Sequence, residues 1–196
     1  MRMGKSGIVM SVIFLLVFGG VSAQYLPVNG SGKCEVAEVV LAEGFLKSTL
    51  YSNQLQWFKM LASSSDVTLS SIQKDSIEGR TAGNAEFLVY SQSGILRKVA
   101  GAIRYHVSVE VKDGKYRYAF SDFIFDYYKQ DRNYHMVKTG KTKPLEETEA
   151  GGWQKLWTQH RKTVFSLVSQ QVDALKIKMI ETPDTNNKPT EKKVDW

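Results

Sequence analysis

Three histidines, one cysteine and a set of carboxylates are the residues of this chain that could make or break bonds. His106, His135 and His160 stand far apart. No His-Glu-x-x-His pattern, cysteine pair or paired aspartates accompany them, so no metal site is expected. Cys34 is the single cysteine, which rules out a disulfide within the chain. It is left buried, free, or bonded to a second chain. With a histidine it could form a nucleophile pair, but no supporting motif surrounds it. Glu78, Glu86 and Glu110, interleaved with Arg80 and Arg104, are the groups a carboxylate-dependent hydrolase would draw on. The same alternation is the ordinary wet face of β-strands. No glycine-rich loop precedes a helix to cradle phosphate, and no cofactor is expected.

A second chemistry is recognition. Lys129, Arg132, Lys138, Lys141 and Lys143 form a basic run with Tyr127, Tyr128 and Tyr134 interleaved and only Asp131 opposing. Cations beside aromatic rings suit an anionic lipid headgroup, a phosphorylated glycan or an acidic partner. A solvated loop whose tyrosines cover a sheet edge would read the same way. Trp153 and Trp157 at helical spacing belong to a core, with a sugar-stacking platform as the alternative.

The elements that position these residues follow from periodicity. Glu35 to Ala42 reads as a first strand. Leu50, Tyr51, Leu55, Phe58, Leu61 and Ala62 recur at steps of three and four, which predicts a helix over 47–62. Val67 to Lys74 reads as a short strand, and Ser76 to Tyr90 as a long one with period two. Ser91 to Gly94 is a turn. Asp113-Gly114 between two alternating runs predicts a tight hairpin, because glycine accepts the positive φ that such a turn needs. In that register Val107, Val109 and Val111 meet Phe120, Tyr118 and Tyr116, and Glu110 meets Arg117. Apolar parity then slips after Phe120. A β-bulge at Ser121-Asp122 restores it and returns Phe123 and Phe125 to the core face. Lys129 to Gly152 reads as a long polar connection. Trp157, Val164, Val168, Val172, Leu175 and Met179 predict a long helix from Trp153 to Ile180.

The chain starts with Arg2 and Lys5, then an apolar run from Ile8 to Phe18, then Val21-Ser22-Ala23. That is the layout of a secretory signal peptide, and the run is too short to span a membrane as a helix. Four segments result: a signal over 1–23, a flexible lead-in over 24–34, one domain over 35–180 and a disordered tail over 181–196. With 42% apolar and 23% charged residues, the domain can bury a core without disulfides. The net charge is +6, two units of it from the signal. Asn29-Gly30-Ser31 matches an N-glycosylation triplet. A lipid-anchored Cys34 is excluded, because Lys33 stands where a small residue is needed.

The fold expected is α+β: one curved antiparallel sheet of about five strands with two helices on one face, in the order β-α-β-β-β-β-α. That order, the export signal, Trp57-Phe58, Ser76-Ile77-Glu78-Gly79, Ile103-Arg104-Tyr105 and Val109 through Arg117 resemble a family of exported bacterial proteins. The family is a domain of unknown function with a TBP-like fold. The resemblance runs from Glu35 to Ile180 and implies a single TBP-like repeat. It brings no activity and no catalytic residues. Asp75-Ser76-Ile77 also fits a short O-glycosylation pattern of some bacteria that carry this family. Export, one repeat instead of a two-repeat saddle, and charges on the exposed hairpin face argue against nucleic acid. The functional expectation is a non-catalytic exported envelope protein, a binding or accessory module. An envelope protein, a glycan or an anionic lipid is its partner.

Overall fold

The computed structural model describes residues 25–91 and 98–182. The signal segment, nearly all of the tail and residues 92–94 of the expected turn lie outside the described residues. The chain order is β1 (Val36–Leu41), α1 (Lys47–Ala62), β2 (Thr68–Asp75), β3 (Arg80–Tyr90), β4 (Val99–Lys112), β5 (Lys115–Gln130), β6 (Met136–Pro144), a 3-10 turn (Gly151–Trp153) and α2 (Gln154–Met179). All strand pairs are antiparallel, in the order β1-β5-β4-β3-β2, and β6 also pairs with β5. β1 lies along the first half of β5 and β6 along the second half, so two strands share one side of it.

Both helices cover one face. Leu50, Trp57 and Phe58 of α1 and Trp157, Val164, Val168 and Leu175 of α2 join the inner residues of β3, β4 and β5 in one core. The Asp113-Gly114 hairpin sets which side chains reach it. Val111 pairs with Tyr116, Val109 with Tyr118 and Val107 with Phe120, as the alternation predicts. Gly114 takes φ 72, which side-chain-bearing residues resist. The register shifts between Arg104 and His106, and Asp122 adopts φ 55. This is the expected bulge. Ile103 then meets Phe125, and the Tyr105 and Phe123 rings stack at 5.5 Å. Had the parity run on, Asp122 would have entered the core, where an unpaired carboxylate is costly.

The hairpin turn also starts α1. Leu46, at the N-cap, has no side-chain acceptor. Asp113 Oδ1 accepts the Lys47 amide at 2.6 Å, and the Gly114 amide donates to the Phe45 carbonyl at 2.9 Å. A side chain 66 residues away thus satisfies one of the helix's orphan donors.

Four expectations are corrected. The polar stretch after Lys129 is not one long connection, because 136–144 forms β6, a sixth strand. Its alternation is hidden because few of its inner positions are apolar: Lys143, opposite Phe125, is buried there with its ammonium 5.5 Å from the Trp157 ring. A lysine stem packs as a hydrophobe while its charge finds a partner. The strand expected from Ser76 starts at Arg80. Residues 76–79 turn instead, with the Glu78 amide donating to Asp75 Oδ1 at 2.9 Å. Gly79 takes φ 75 there, and a Cβ on it would lie 2.8 Å from the Val111 carbonyl oxygen. The lead-in is folded from Tyr25 onward: Leu26 and Cys34 are buried, and Asn29 Oδ1 accepts the Ser31 and Lys33 amides. The buried stripe of α1 includes Asn53 and Gln54 in place of Tyr51 and Leu55. Asn53 Nδ2 donates to the Met179 and Glu181 carbonyls at the end of α2, and Gln54 Nε2 to Thr81 Oγ1.

Candidate functional site on the open face of the sheet

The face opposite the helices carries the side chains that alternation turns outward. Asn84 lies beside His106 and Glu86 beside Arg104 in the β3–β4 register. Asp126 faces Ala102, and Tyr128 faces Lys138 across β5 and β6. Lys138 is the hub. Its ammonium contacts Glu86 and lies 3.3 Å from Asp126 Oδ2. Arg104 Nε reaches the other oxygen of Asp126 at 3.2 Å. Four groups therefore form a chain, Glu86–Lys138–Asp126–Arg104, with alternating sign. Partial burial works against the Lys138 charge, but the Glu86 and Asp126 carboxylates outweigh it and hold its pKa above the ordinary value. His106 Nδ1 and Asn84 Oδ1 are 3.1 Å apart. Arg80 and Glu110 make a separate pair at 3.4 Å.

Beside the charge chain a groove of about 340 Å³ is lined by Ser70, Asn84, Glu86, Arg104, His106 and Asp122. The bulge shapes it. Left-handed backbone at Asp122 turns its carboxylate onto the open face, where only the Ser121 hydroxyl bonds to it among the described residues, at 3.2 Å. Strained backbone and bulges re-aim side chains at binding sites. The groove can exchange hydrogen bonds of both kinds: Asp122 accepts, and the guanidinium of Arg104 and the amide of Asn84 donate.

The eight basic and aromatic residues singled out by sequence are not gathered into one patch. Lys138 belongs to the charge chain. Lys143 is buried on the inner face, pairs with Glu147 and caps the Trp157 ring. Tyr128 is half-buried beside Lys138, and burial and Glu86 raise its hydroxyl pKa. Lys129, Arg132, Lys141 and Tyr134 remain exposed along the β5–β6 hairpin. Tyr134 is 81% exposed at its tip. Tyr127 packs inward on Phe125 and Trp153.

Of the carboxylates considered for hydrolysis, Glu86 holds Lys138, Glu110 holds Arg80 and Glu78 sits apart in the β2–β3 turn. Trp157 is fully buried, its indole N–H donating to the Glu147 carbonyl at 2.7 Å. His160 is stacked on Phe125 at 5.7 Å, and burial alone pushes its pKa down to about 4. Cys34 is buried and its thiol pKa is raised, chiefly by desolvation. Sequence reasoning missed Asp126 and Ser70 as site residues and treated Asp122 only as a bulge. Asp126 had a signal: it is the one acidic outward position between Ile124 and Tyr128.

Among the described residues no group of three or more His, Cys, Asp or Glu is placed to hold a metal. No described helix is long and apolar enough to cross a membrane.

Comparison with known proteins agrees with this architecture. Residues 37–126 match the family model of a domain of unknown function (DUF4468) with TBP-like fold. The crystal structure of a DUF4468 family protein from Bacteroides ovatus superposes with a TM-score of 0.52 at 17% identity, over 84% of this chain and 94% of that one. A TBP-like protein from Parabacteroides distasonis gives 0.53 at 16% identity, over 76% and 96%. At these identities the likeness is one of fold. No curated protein matches the chain.

Proposed function

Starting from a chain that resembles this family over 37–126, we propose a non-catalytic binding module, exported to the cell envelope, that takes a neutral hydroxyl-rich ligand such as a glycan on the open face of its sheet. The groove beside the bulge carries this reading. It offers an acceptor in Asp122 and donors in Arg104 and Asn84 within one lining. Each sugar hydroxyl both donates and accepts, so vicinal hydroxyls match that mixture. The surrounding charges largely cancel: Glu86, Asp122 and Asp126 stand against Arg104 and Lys138. A strongly charged ligand would find little net attraction there. The matched family has no catalytic assignment, and the carboxylates here are each matched to a cation or stand alone. The signal-like start at residues 1–23 supports export.

Titration of the chain with neutral mono- and disaccharides, followed by amide NMR, tests the reading. Shifts clustered at Asn84, Arg104, His106 and Asp122, lost in Asp122→Ala, are expected. Turnover of a glycan, peptide or ester that a single Glu86 or Asp126 substitution abolishes would overturn it in favour of a hydrolase.

A second reading rests on the β5–β6 hairpin. Lys129, Arg132 and Lys141 are exposed without an ion pair among the described residues, and Tyr134 protrudes at the tip. These groups would bind an anionic surface. Flotation with phosphatidylglycerol vesicles, compared with phosphatidylcholine vesicles, separates this reading from the first.

A further inference from the structure

The sheet is bordered by β2 on one side and by β1 and β6 on the other, and β2 and β1 differ in how they end it. β2 is blunted: its register breaks between Ser70 and Gln73, and Ser71 takes φ 53. Such a bulge stops another strand from adding to the edge. β1 has no device of this kind. Val-Ala-Glu-Val-Val-Leu is regular, rich in β-branched residues and free of proline and lysine. Val39 is 59% and Leu41 69% exposed.

The direction of its backbone groups follows from two bonds. The Ala42 amide donates to the Gly114 carbonyl at 2.8 Å, so the even-numbered groups of β1 point to β5. The Glu35 amide donates the opposite way, to Pro27, at 3.0 Å. Ala37, Val39 and Leu41 therefore aim their N–H and C=O groups away from the sheet, beyond the point where the lead-in covers the edge. No described residue pairs with them.

We propose that β1 is the interface of a symmetric homodimer, in which β1 of a second copy adds antiparallel to this edge and the two sheets become one. The sequence of β1 favours its own copy. A two-fold axis at Val39 sets Val39 against Val39 and Ala37 against Leu41, so all three outward-pointing residues pair among themselves. About six backbone hydrogen bonds form across the axis. The exposed Val39 and Leu41 side chains become cross-strand neighbours.

The charges allow this register. Glu38 then faces Val40, whereas an axis at Glu38 would oppose two carboxylates. The Glu38 carboxylate is already held inside each copy by the Tyr118 hydroxyl at 2.6 Å and the Lys176 ammonium at 2.7 Å. Arg117, beside Val39 on β5, would lie about three strand spacings, or about 14 Å, from its equivalent, where salt screens repulsion. Ile177 of α2, next to Lys176, is 65% exposed and extends the apolar margin on the helix side.

Sedimentation of the full chain, as its host processes it, over a dilution series tests this. The expected species has twice the chain mass and dissociates on dilution. Val39→Lys should sediment at the chain mass at every concentration. Val39→Pro should do the same while staying folded, because the Val39 amide bonds to no other described residue. Ile72→Lys, on the blunted edge, should leave the dimer intact. Should Val39→Lys fail to fold by circular dichroism, Leu41→Lys replaces it. A wild-type chain that is monomeric throughout, a dimer that survives the folded β1 variants, or a dimer lost on Ile72→Lys would each overturn the assignment.

Discussion

The two faces of the β3–β4–β5 sheet handle polar groups in opposite ways. On the inner face most polar groups are paired singly or stand alone among rings, while Tyr118, Glu38 and Lys176 form a short linked set at its margin. Among the described residues Tyr105 has one partner, Gln171 Oε1 at 2.7 Å, and Tyr116 OH and His160 Nε2 have none. On the outer face the polar groups are linked: Glu86, Lys138, Asp126 and Arg104 form one chain, with Asn84 and His106 beside it. The lone inner groups survive because burial keeps them neutral. The Tyr116 hydroxyl pKa is pushed up to about 12 and the His160 imidazole down to about 4. On the outer face the Glu86 and Asp126 carboxylates lie against Lys138 and Arg104, and against the cost of partial burial the two carboxylates together hold the Lys138 pKa above its ordinary value. Burial is therefore concentrated on the inner face, and the outer face carries the groove proposed above for recognition.

Adjacent residues of β5 give the sharpest test of that division. Phe123 is 1% exposed and stacks on Tyr105, while Ile124 points to the groove. Phe123→Ala should lower unfolding free energy by about 3–5 kcal/mol, from lost burial and the cavity left behind. Ile124→Ala should cost less than about 1 kcal/mol. Urea unfolding of both variants measures the difference. Similar losses would mean that the faces are not distinct.

His160 sharpens the comparison through pH. Its pKa in the folded chain lies near 4 against an ordinary value of 6.5, so the unfolded chain takes up the proton first as pH falls. The contribution is fully present above pH 6.5, is lost progressively as pH falls toward 4, and levels off below that. The loss amounts to about 3 kcal/mol. Unfolding measured across this window should show the slope, and His160→Leu should flatten it. An unchanged slope in the variant would place the effect elsewhere.

Face assignment depends on register, and register depends on the hairpin turn. A Cβ on Gly114 would have no atom of the described residues within 4 Å, so a side chain there meets no clash among them, only the unfavourable φ of 72. Gly114→Val should therefore destabilise by about 1–2 kcal/mol. Thermal unfolding checks it, and a neutral effect would show that the turn does not hold the register.

The inner face was legible in the sequence and the outer face was not, for a physical reason. Burial selects large apolar residues at fixed period, so Val107 through Phe125, the bulge included, could be placed from alternation alone. The long stripe of α2 was legible for the same reason. Its buried His160 and Gln171 were not, since each is polar by type and apolar only by surroundings. Polar networks leave no periodic trace. Glu86 and Lys138 are 52 residues apart and meet only because β6 folds back along β5. With 136–144 read as a loop, Lys138 joined a basic run instead of a charge chain. The bare edge of β1 was likewise invisible, because its exposure depends on which strands lie beside β5.

The outer chain itself carries the smallest effect. Lys138 and Glu86 are partly exposed, at 46% and 30% of their side chains. Water and salt screen such a pair, and holding two side chains together costs rotamer freedom. A double-mutant cycle of Lys138→Met and Glu86→Gln should give a coupling of about 0.5–1 kcal/mol, falling as ionic strength rises. Lys138→Met alone should cost somewhat more than Glu86→Gln. It leaves Asp126, whose side chain is only 9% exposed, with Arg104 as its remaining ion-pair partner among the described residues. A coupling as large as the loss from Phe123→Ala would mean that the outer network, and not the ring-filled inner face, holds the sheet together.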